Sequence, residues 1–192
     1  GYSSDFADRY GMPLCLINIG CHGALFLLYL NLSIHFTEGA GFTGPTVGVI
    51  LAALTFTAMG QHPKNVWPIL LGYQLLSLVV HWVCAVNGTE IPWTLSTQGY
   101  ITSASFAMGL CPIVGRYGIR AGVAAGLMCA AICSSTSALH GGLILYNGGF
   151  TTGITALLLL PILEHYIPEA REEMKNLTIN MQDMLTLIGK KS

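Results

Sequence analysis

Residues 66–86 read VWPILLGYQLLSLVVHWVCAV and decide the fold, because no Asp, Glu, Lys or Arg interrupts them. A helix needs about 20 consecutive, mainly apolar residues to cross the hydrocarbon core of a bilayer. This stretch has that length, and it lacks the charged face that a helix on the surface of a soluble protein carries opposite its apolar face. It predicts a membrane-spanning helix.

The composition of the whole chain points the same way. Hydrophobic residues make up 53% of the 192 residues, charged residues make up 9%, and the mean hydropathy is +0.61. A soluble domain carries about 25% charged residues, since water must wet its surface. The composition therefore excludes a soluble globular domain. The net charge of −1 gives no electrostatic basis for binding nucleic acid.

Working outward from residues 66–86, we find other apolar segments that are candidate membrane passes. Together with residues 66–86, there are six such segments: 12–34, 44–59, 66–86, 97–114, 119–138 and 142–163. The second segment is short, and Asn147-Gly148-Gly149 interrupts the sixth. The fourth is rich in hydroxyl and amide side chains, so we expect it inside the bundle.

The sequence thus predicts an all-α integral membrane protein of about six transmembrane or half-spanning helices. We divide it into a polar N-terminal segment (1–11), a polytopic membrane domain (12–167) and a C-terminal segment (168–192). Six cysteines lie in or beside apolar runs, where we expect buried thiols.

The basic residues orient this arrangement. If the six segments alternate in direction, every Lys and Arg falls on one side of the membrane: Arg9, Lys64, Arg116, Arg120, Arg171, Lys175, Lys190 and Lys191. The loops on the other side contain Glu38 and Glu90 and no basic residue. Because cytoplasmic loops carry the Lys and Arg excess, we expect a multi-pass cell-membrane protein with both termini in the cytoplasm.

The C-terminal segment has a different pattern. Apolar residues recur at heptad spacing, at Ala170, Met174, Leu177, Met181, Met184 and Ile188. This pattern predicts a cytoplasmic amphipathic helix after Pro168. Such a helix either lies on the membrane or on the chain's own loops, or it associates with a second copy.

Two Asn-x-Gly strings precede long apolar stretches, at Asn18-Ile19-Gly20 and at Asn147-Gly148-Gly149. In the predicted topology they enter the membrane from opposite sides, as inverted repeats do. We predict discontinuous helices at both strings, with unwound backbone facing a wet cavity. The alternative is that these glycines only let helices pack closely.

These strings suggest a path for a small polar solute through a channel or secondary transporter. The candidate path residues are polar or small and lie near the strings: Asn18, His22, Thr46, Asn147, Gly148, Gly149 and Thr151. His22 is ionisable at membrane depth, which favours a functional role, although a neutral imidazole bonded to a carbonyl is equally inexpensive.

The short second segment is bracketed by Gly44-Pro45 and by Gly60-Gln61-His62-Pro63-Lys64. It is either a half-spanning helix or a tilted pass with capped ends. His62 and Lys64 are a possible gate, or else ordinary polar residues of a solvated loop. No GxSxG, HExxH, P-loop or GxGxxG motif occurs, so we expect no enzyme, cofactor or metal site.

Several strings resemble a bacterial membrane family known only as domain of unknown function 1576. They are Phe42 to Gly48, Gly60 to Gly72, Leu110 to Ile113 and, most specifically, Leu139 to Phe150. The resemblance covers residues 10–168 and implies the C-terminal half of a longer member. It supports fold and location and carries no activity.

The resemblance also bears on partners. Besides the lipid bilayer, it implies either a homo-oligomer or a partner membrane chain that supplies the missing half. A second functional hypothesis is therefore a non-transporting subunit or scaffold that associates through the C-terminal heptad helix.

Overall fold

The computed structural model describes residues 6–36, 42–90, 98–136 and 144–167. Within these ranges every regular element is a helix, and no strand occurs. The α-helices are α1 (Phe6–Tyr10), α2 (Met12–Phe36), α3 (Gly44–Thr55), α4 (Pro63–Asn87), α5 (Gln98–Ala107), α6 (Cys111–Thr136) and α7 (Ile144–Tyr166). Two 3-10 turns, Phe56–Met59 and Met108–Leu110, extend α3 and join α5 to α6.

Three helical segments are long and apolar enough to cross a membrane: Met12–His35, Pro63–Asn87 and Gln98–Thr136. Gly44–Met59 is apolar but shorter, as its sequence predicts. The chain is therefore a helical membrane protein by the length and composition of its helices. The predicted count of six passes and the predicted inverted repeat go beyond this finding.

The longest of these segments, Gln98–Thr136, folds back on itself at Gly118. Gly118 has φ 85° and ψ −179°, a conformation open essentially to glycine alone. Val114, before this break, lies against Gly122, after it. Farther along, Tyr73 Oη contacts both Ser103 Oγ (2.7 Å) and Cys129 Sγ (3.2 Å). The segments before and after Gly118 therefore run side by side.

The contacts also fix the direction of α2 relative to α4. Asn18 meets Gln61, just before α4, and Ser33 near the end of α2 meets Gln74 in the middle of α4. The two helices therefore run parallel and begin at the same end of the bundle.

The second half of α6 runs in this direction as well. A Cβ on Gly122 would lie 3.1 Å from Pro68, and one helical turn or more later Cys129 contacts Tyr73. Three of the described basic residues, Lys64, Arg116 and Arg120, lie at the end where these helices begin.

The interior position predicted for the fourth segment is confirmed. Seven of the ten residues of α5 are buried, and they include Thr102, Ser103 and Ser105. Ser105 donates to the carbonyl of Thr102 at 2.9 Å, so part of this polarity is satisfied within the helix itself. A helix with polar side chains on most faces is stable in a membrane only where protein surrounds it.

Glycine allows α4 and α6 to cross with their backbones in contact. A Cβ on Gly72 would lie 2.6 Å from both Leu127 N and Val123 O. A Cβ on Gly126 would lie 2.9 Å from the carbonyl carbon of Ile69. Gly122 and Gly126 form a GxxxG pair, the spacing that brings two membrane helices closest together.

The predicted unwinding at the two Asn-x-Gly strings is wrong. Helix α2 continues through Asn18-Ile19-Gly20, and α7 continues through Asn147-Gly148-Gly149. A glycine within a helix costs only about 1 kcal/mol relative to alanine. Unpaired backbone groups in hydrocarbon cost several kcal/mol each, so the helical hydrogen bonds persist. The helices are instead interrupted at Phe56–Gly60, Met108–Leu110 and Gly118.

The C-terminal heptad pattern falls on residues 168–192, which lie outside the described residues. The amphipathic helix predicted there stays a prediction, as do the roles proposed for it.

Candidate functional site

Helix α2 buries a line of polar side chains, which we call the polar stripe: Asn18, His22, Tyr29 and Ser33. At 100° per residue, these positions fall within about 60° of one another around the helix. The stripe extends about 22 Å along the helix axis, most of the thickness of a bilayer core. A membrane helix with one buried polar face directs that face toward protein and away from lipid.

At the Asn18 end of the polar stripe, the chain between the Phe56–Met59 turn and α4 passes close to α2. Asn18 Nδ2 donates to the carbonyl of Gln61 at 2.7 Å, within the buried interior. Gly60 turns the chain with φ 97°, which favours glycine. We call residues 60–65 the α4 entry loop.

Asn65 holds the α4 entry loop from its other side. Its Oδ1 accepts from the backbone N–H of His62 at 2.9 Å, and its Nδ2 donates to the carbonyl of Gly60 at 3.2 Å. The carboxamides of Asn18 and Asn65 thus fix the backbone on both sides of Gln61. The Gln61 side chain itself is 5% exposed and lies inside the protein.

Two side chains at this point have unsatisfied hydrogen-bonding atoms. His22 is fully buried, and neither of its ring nitrogens has a hydrogen-bond partner among the described residues. The Oε1 atom of Gln61 is also buried without a partner there. His22 lies one helical turn after Asn18, and His62 of the α4 entry loop is near enough to act on it electrostatically.

Unpaired buried polar groups are costly and rare. Each costs about 1–3 kcal/mol, and most native proteins retain only a few of them. Such atoms also occur elsewhere, at the hydroxyls of Tyr29 and Tyr117, but the two nitrogens of His22 and the Oε1 atom of Gln61 lie beside one loop. This grouping indicates a position where a polar molecule completes the hydrogen bonding. We call His22 and Gln61 the unpaired pair.

A second polar cluster lies where α3 and α5 begin, at the opposite end of the bundle from the unpaired pair. Gln98 Oε1 accepts from Thr43 Oγ1 at 2.8 Å and from Thr46 Oγ1 at 3.0 Å. Gln98 Nε2 contacts Thr102 Oγ1 at 3.4 Å. Thr46 is fully buried, and this cluster satisfies its own hydrogen bonds.

A third polar cluster joins α4, α5, α6 and α7. Tyr73 bonds to Ser103 and Cys129, and Thr151 lies 3.8 Å from Cys129 Sγ. Thr151 Oγ1 also donates to the carbonyl of Gly148 at 3.1 Å. These bonds join four helices through groups that have partners, so the cluster stabilises the bundle.

Four of the seven predicted path residues are therefore distributed over three clusters. Asn18 and His22 belong to the first, Thr46 to the second and Thr151 to the third. Gly148 packs against Phe106, and Gly149 is exposed within α7. Asn147 lies in α7, but its side chain is outside the described residues.

Gln61 is the residue that sequence reasoning overlooked. It stands in the string Gly60-Gln61-His62-Pro63-Lys64, which we interpreted as a polar loop with a possible gate at His62 and Lys64. A glutamine between a positive-φ glycine and a helix-starting proline is a weak signal, because most such residues face solvent. Its burial and the contact of its backbone carbonyl with Asn18 show that Gln61 lies inside the protein.

His62 and Lys64 differ in exposure. His62 is half-buried, and Lys64 is exposed in the first turn of α4. Burial, and then the positive charge of Lys64, lower the pKa of His62 below its usual 6.5. The His62 side chain is therefore mainly neutral at pH 7.

Lys64→Ala should raise the pKa of His62 toward 6.5 without reaching it, because burial is the larger cause and remains. An NMR pH titration of the histidine-labelled protein in detergent measures this shift. Arg120→Ala, which removes an exposed charge at the same end of the bundle, is the control. An unchanged pKa in Lys64→Ala would show that Lys64 does not act on His62.

Comparison with known families identifies a match over most of the chain. The family described as protein of unknown function (DUF1576) matches residues 2–165, which include every described helix of the chain except the last residue of α7. Neither a curated protein nor a solved structure shows a significant match.

Proposed function

We propose that this chain, which belongs to the family described as protein of unknown function (DUF1576), is a membrane channel or secondary transporter for a small polar solute. The observation that carries the proposal is the unpaired pair. His22 and Gln61 have buried hydrogen-bonding atoms without described partners, whereas the other two polar clusters satisfy their hydrogen bonds among themselves. A solute that crosses a membrane must exchange its hydrogen bonds with water for hydrogen bonds with protein.

The polar stripe supports a direction for this movement. From Asn18 to Ser33 it offers buried polar groups over about 22 Å, between α2 and α4. The proposed path begins at the α4 entry loop, passes the unpaired pair and follows α2 toward Gln74. Thr46 and Gln98 lie at the end of the bundle toward which this path leads.

The orientation in the membrane is part of the proposal. The end with Lys64, Arg116 and Arg120 would face the cytoplasm, since cytoplasmic loops carry the Lys and Arg excess. The α4 entry loop would then be the cytoplasmic mouth of the path, with His62 and Lys64 at its rim.

The test is uptake into proteoliposomes that contain the purified protein. A panel of radiolabelled polar solutes is presented to them and to protein-free liposomes of the same lipids. We expect at least one solute to enter faster with the protein present. Quantitative blotting confirms that the proteoliposomes contain the protein. If every solute then enters them no faster than it enters protein-free liposomes, the proposed function is contradicted.

A further inference from the structure

We infer that the solute bound by the unpaired pair is uncharged and carries both hydrogen-bond donors and an acceptor, as a neutral amide does. This inference rests on the proposed function and specifies the chemical class of its solute. It follows from the charges around the site, from its donors and acceptors, and from the way Gln61 is held.

The site offers no buried counter-charge. Among the described residues, every buried polar side chain is uncharged or a histidine, and no Asp, Glu, Lys or Arg is buried. Lys64, three residues after Gln61, is exposed to solvent. An ion taken out of water without a partner charge pays a large desolvation cost, whereas a neutral polar solute pays much less.

The unpaired atoms define what a solute must offer. A neutral imidazole has one N–H donor and one nitrogen acceptor, and the Oε1 of Gln61 only accepts. Together His22 and Gln61 provide two acceptors and one donor. The complementary solute provides two donors and one acceptor, which is the hydrogen-bonding set of a primary amide, and urea contains this set within its two NH2 groups and one carbonyl.

The surrounding contacts fix the backbone at Gln61. Asn18 bonds to the Gln61 carbonyl, and Asn65 bonds to the backbone of the residues on both sides. The Gln61 carboxamide projects from this fixed backbone and is buried by the packing around it. A buried acceptor discriminates strongly, since a solute that lacks the matching donor leaves it unpaired. The N-terminus of α4 lies beside Gln61 and by itself would favour an anion, so an anionic probe belongs in the test.

The experiment uses two pairs of probes that match in size and differ in charge. Urea is compared with guanidinium, and methanesulfonamide is compared with methanesulfonate. Radiolabelled uptake into proteoliposomes is measured for the wild type, Gln61→Leu and Asn31→Leu. Asn31→Leu is the matched control, because it removes an exposed carboxamide that bonds only to its own helix at Leu27 among the described contacts.

We expect wild-type proteoliposomes to take up urea and methanesulfonamide above the protein-free rate, and the charged probes at that rate. Gln61→Leu should lower uptake of the neutral probes about tenfold, as expected for the loss of one hydrogen bond, and Asn31→Leu should not.

Three other outcomes overturn the inference. Faster uptake of guanidinium or methanesulfonate than of the neutral probes would assign an ionic solute and leave the proposed function intact. If other solutes of the panel are taken up and none of the four probes is, an amide-like solute is rejected and the proposed function stays intact. Uptake of no solute at all would overturn both.

Discussion

Gly126→Ala should remove most of the folded, monodisperse protein from a detergent extract. Its added methyl group would clash with the carbonyl oxygen of Ile69 and would lie 2.9 Å from the carbonyl carbon. Those atoms are backbone, so no rotamer change relieves the clash, and α4 must move away from α6. Overpacking a well-packed interior costs about 1–3 kcal/mol, and a clash with backbone belongs at or above the upper end of that range.

The matched control is Gly153→Ala. Gly153 is exposed in α7, and a Cβ there would meet nothing within 4 Å. Because alanine favours a helix over glycine by about 1 kcal/mol, this variant should melt at the same or a higher temperature. The melting temperature of each variant is measured by heating the protein in detergent and quantifying the remaining monodisperse fraction by size-exclusion chromatography. Equal melting temperatures for Gly126→Ala and wild type would show that the two helices do not cross in backbone contact.

His22→Leu should abolish solute uptake and at the same time make the protein more stable. Leucine fills a similar volume and has no polar atom, so the variant removes a buried group that lacks a described partner. Deleting such a group recovers about 1–3 kcal/mol of desolvation cost. The same deletion removes a donor and an acceptor from the proposed path.

This combination separates a functional histidine from a structural one. A histidine that stabilises the fold would lower the melting temperature when replaced and would leave uptake unchanged in the protein that remains folded. His165→Leu, at an exposed position in the last turn of α7, controls for the chemical change. It should leave both melting temperature and uptake near the wild-type values.

Much of the helical framework could be predicted from hydropathy alone. The apolar segments predicted at 44–59 and 66–86 correspond to Gly44–Met59 and Pro63–Asn87, and the polar fourth segment lies in the interior. Such segments are readable because lipid requires long apolar runs with every backbone group bonded internally. The break at Gly118 also lies between two predicted segments, 97–114 and 119–138.

The interruptions within helices were harder to predict. Asn-x-Gly strings favour turns in water, where released backbone groups bond to solvent. In the membrane interior that compensation is missing, so Asn18-Ile19-Gly20 stays helical. The site was only half predicted for a similar reason: Asn18 and His22 stood out as polar residues in an apolar run, whereas Gln61 looked like part of a solvated loop.

The contact that places Gln61 in the site joins residues 43 positions apart. No local pattern contains that information, since it depends on α2 and α4 running parallel from the same end of the bundle. The clustering of Thr46 with Gln98 depends in the same way on the packing of α3 against α5.

Hydroxyl-radical footprinting with mass spectrometry tests the central claim most directly, because it labels side chains that bulk or channel water reaches. His22 and Met108 are both fully buried, and only His22 lies on the proposed path. The account predicts that His22 is oxidised in the protein in lipid nanodiscs while Met108, although chemically more reactive, is protected. Equal protection of His22 and Met108 would show that no wet path passes the unpaired pair, and would contradict the account.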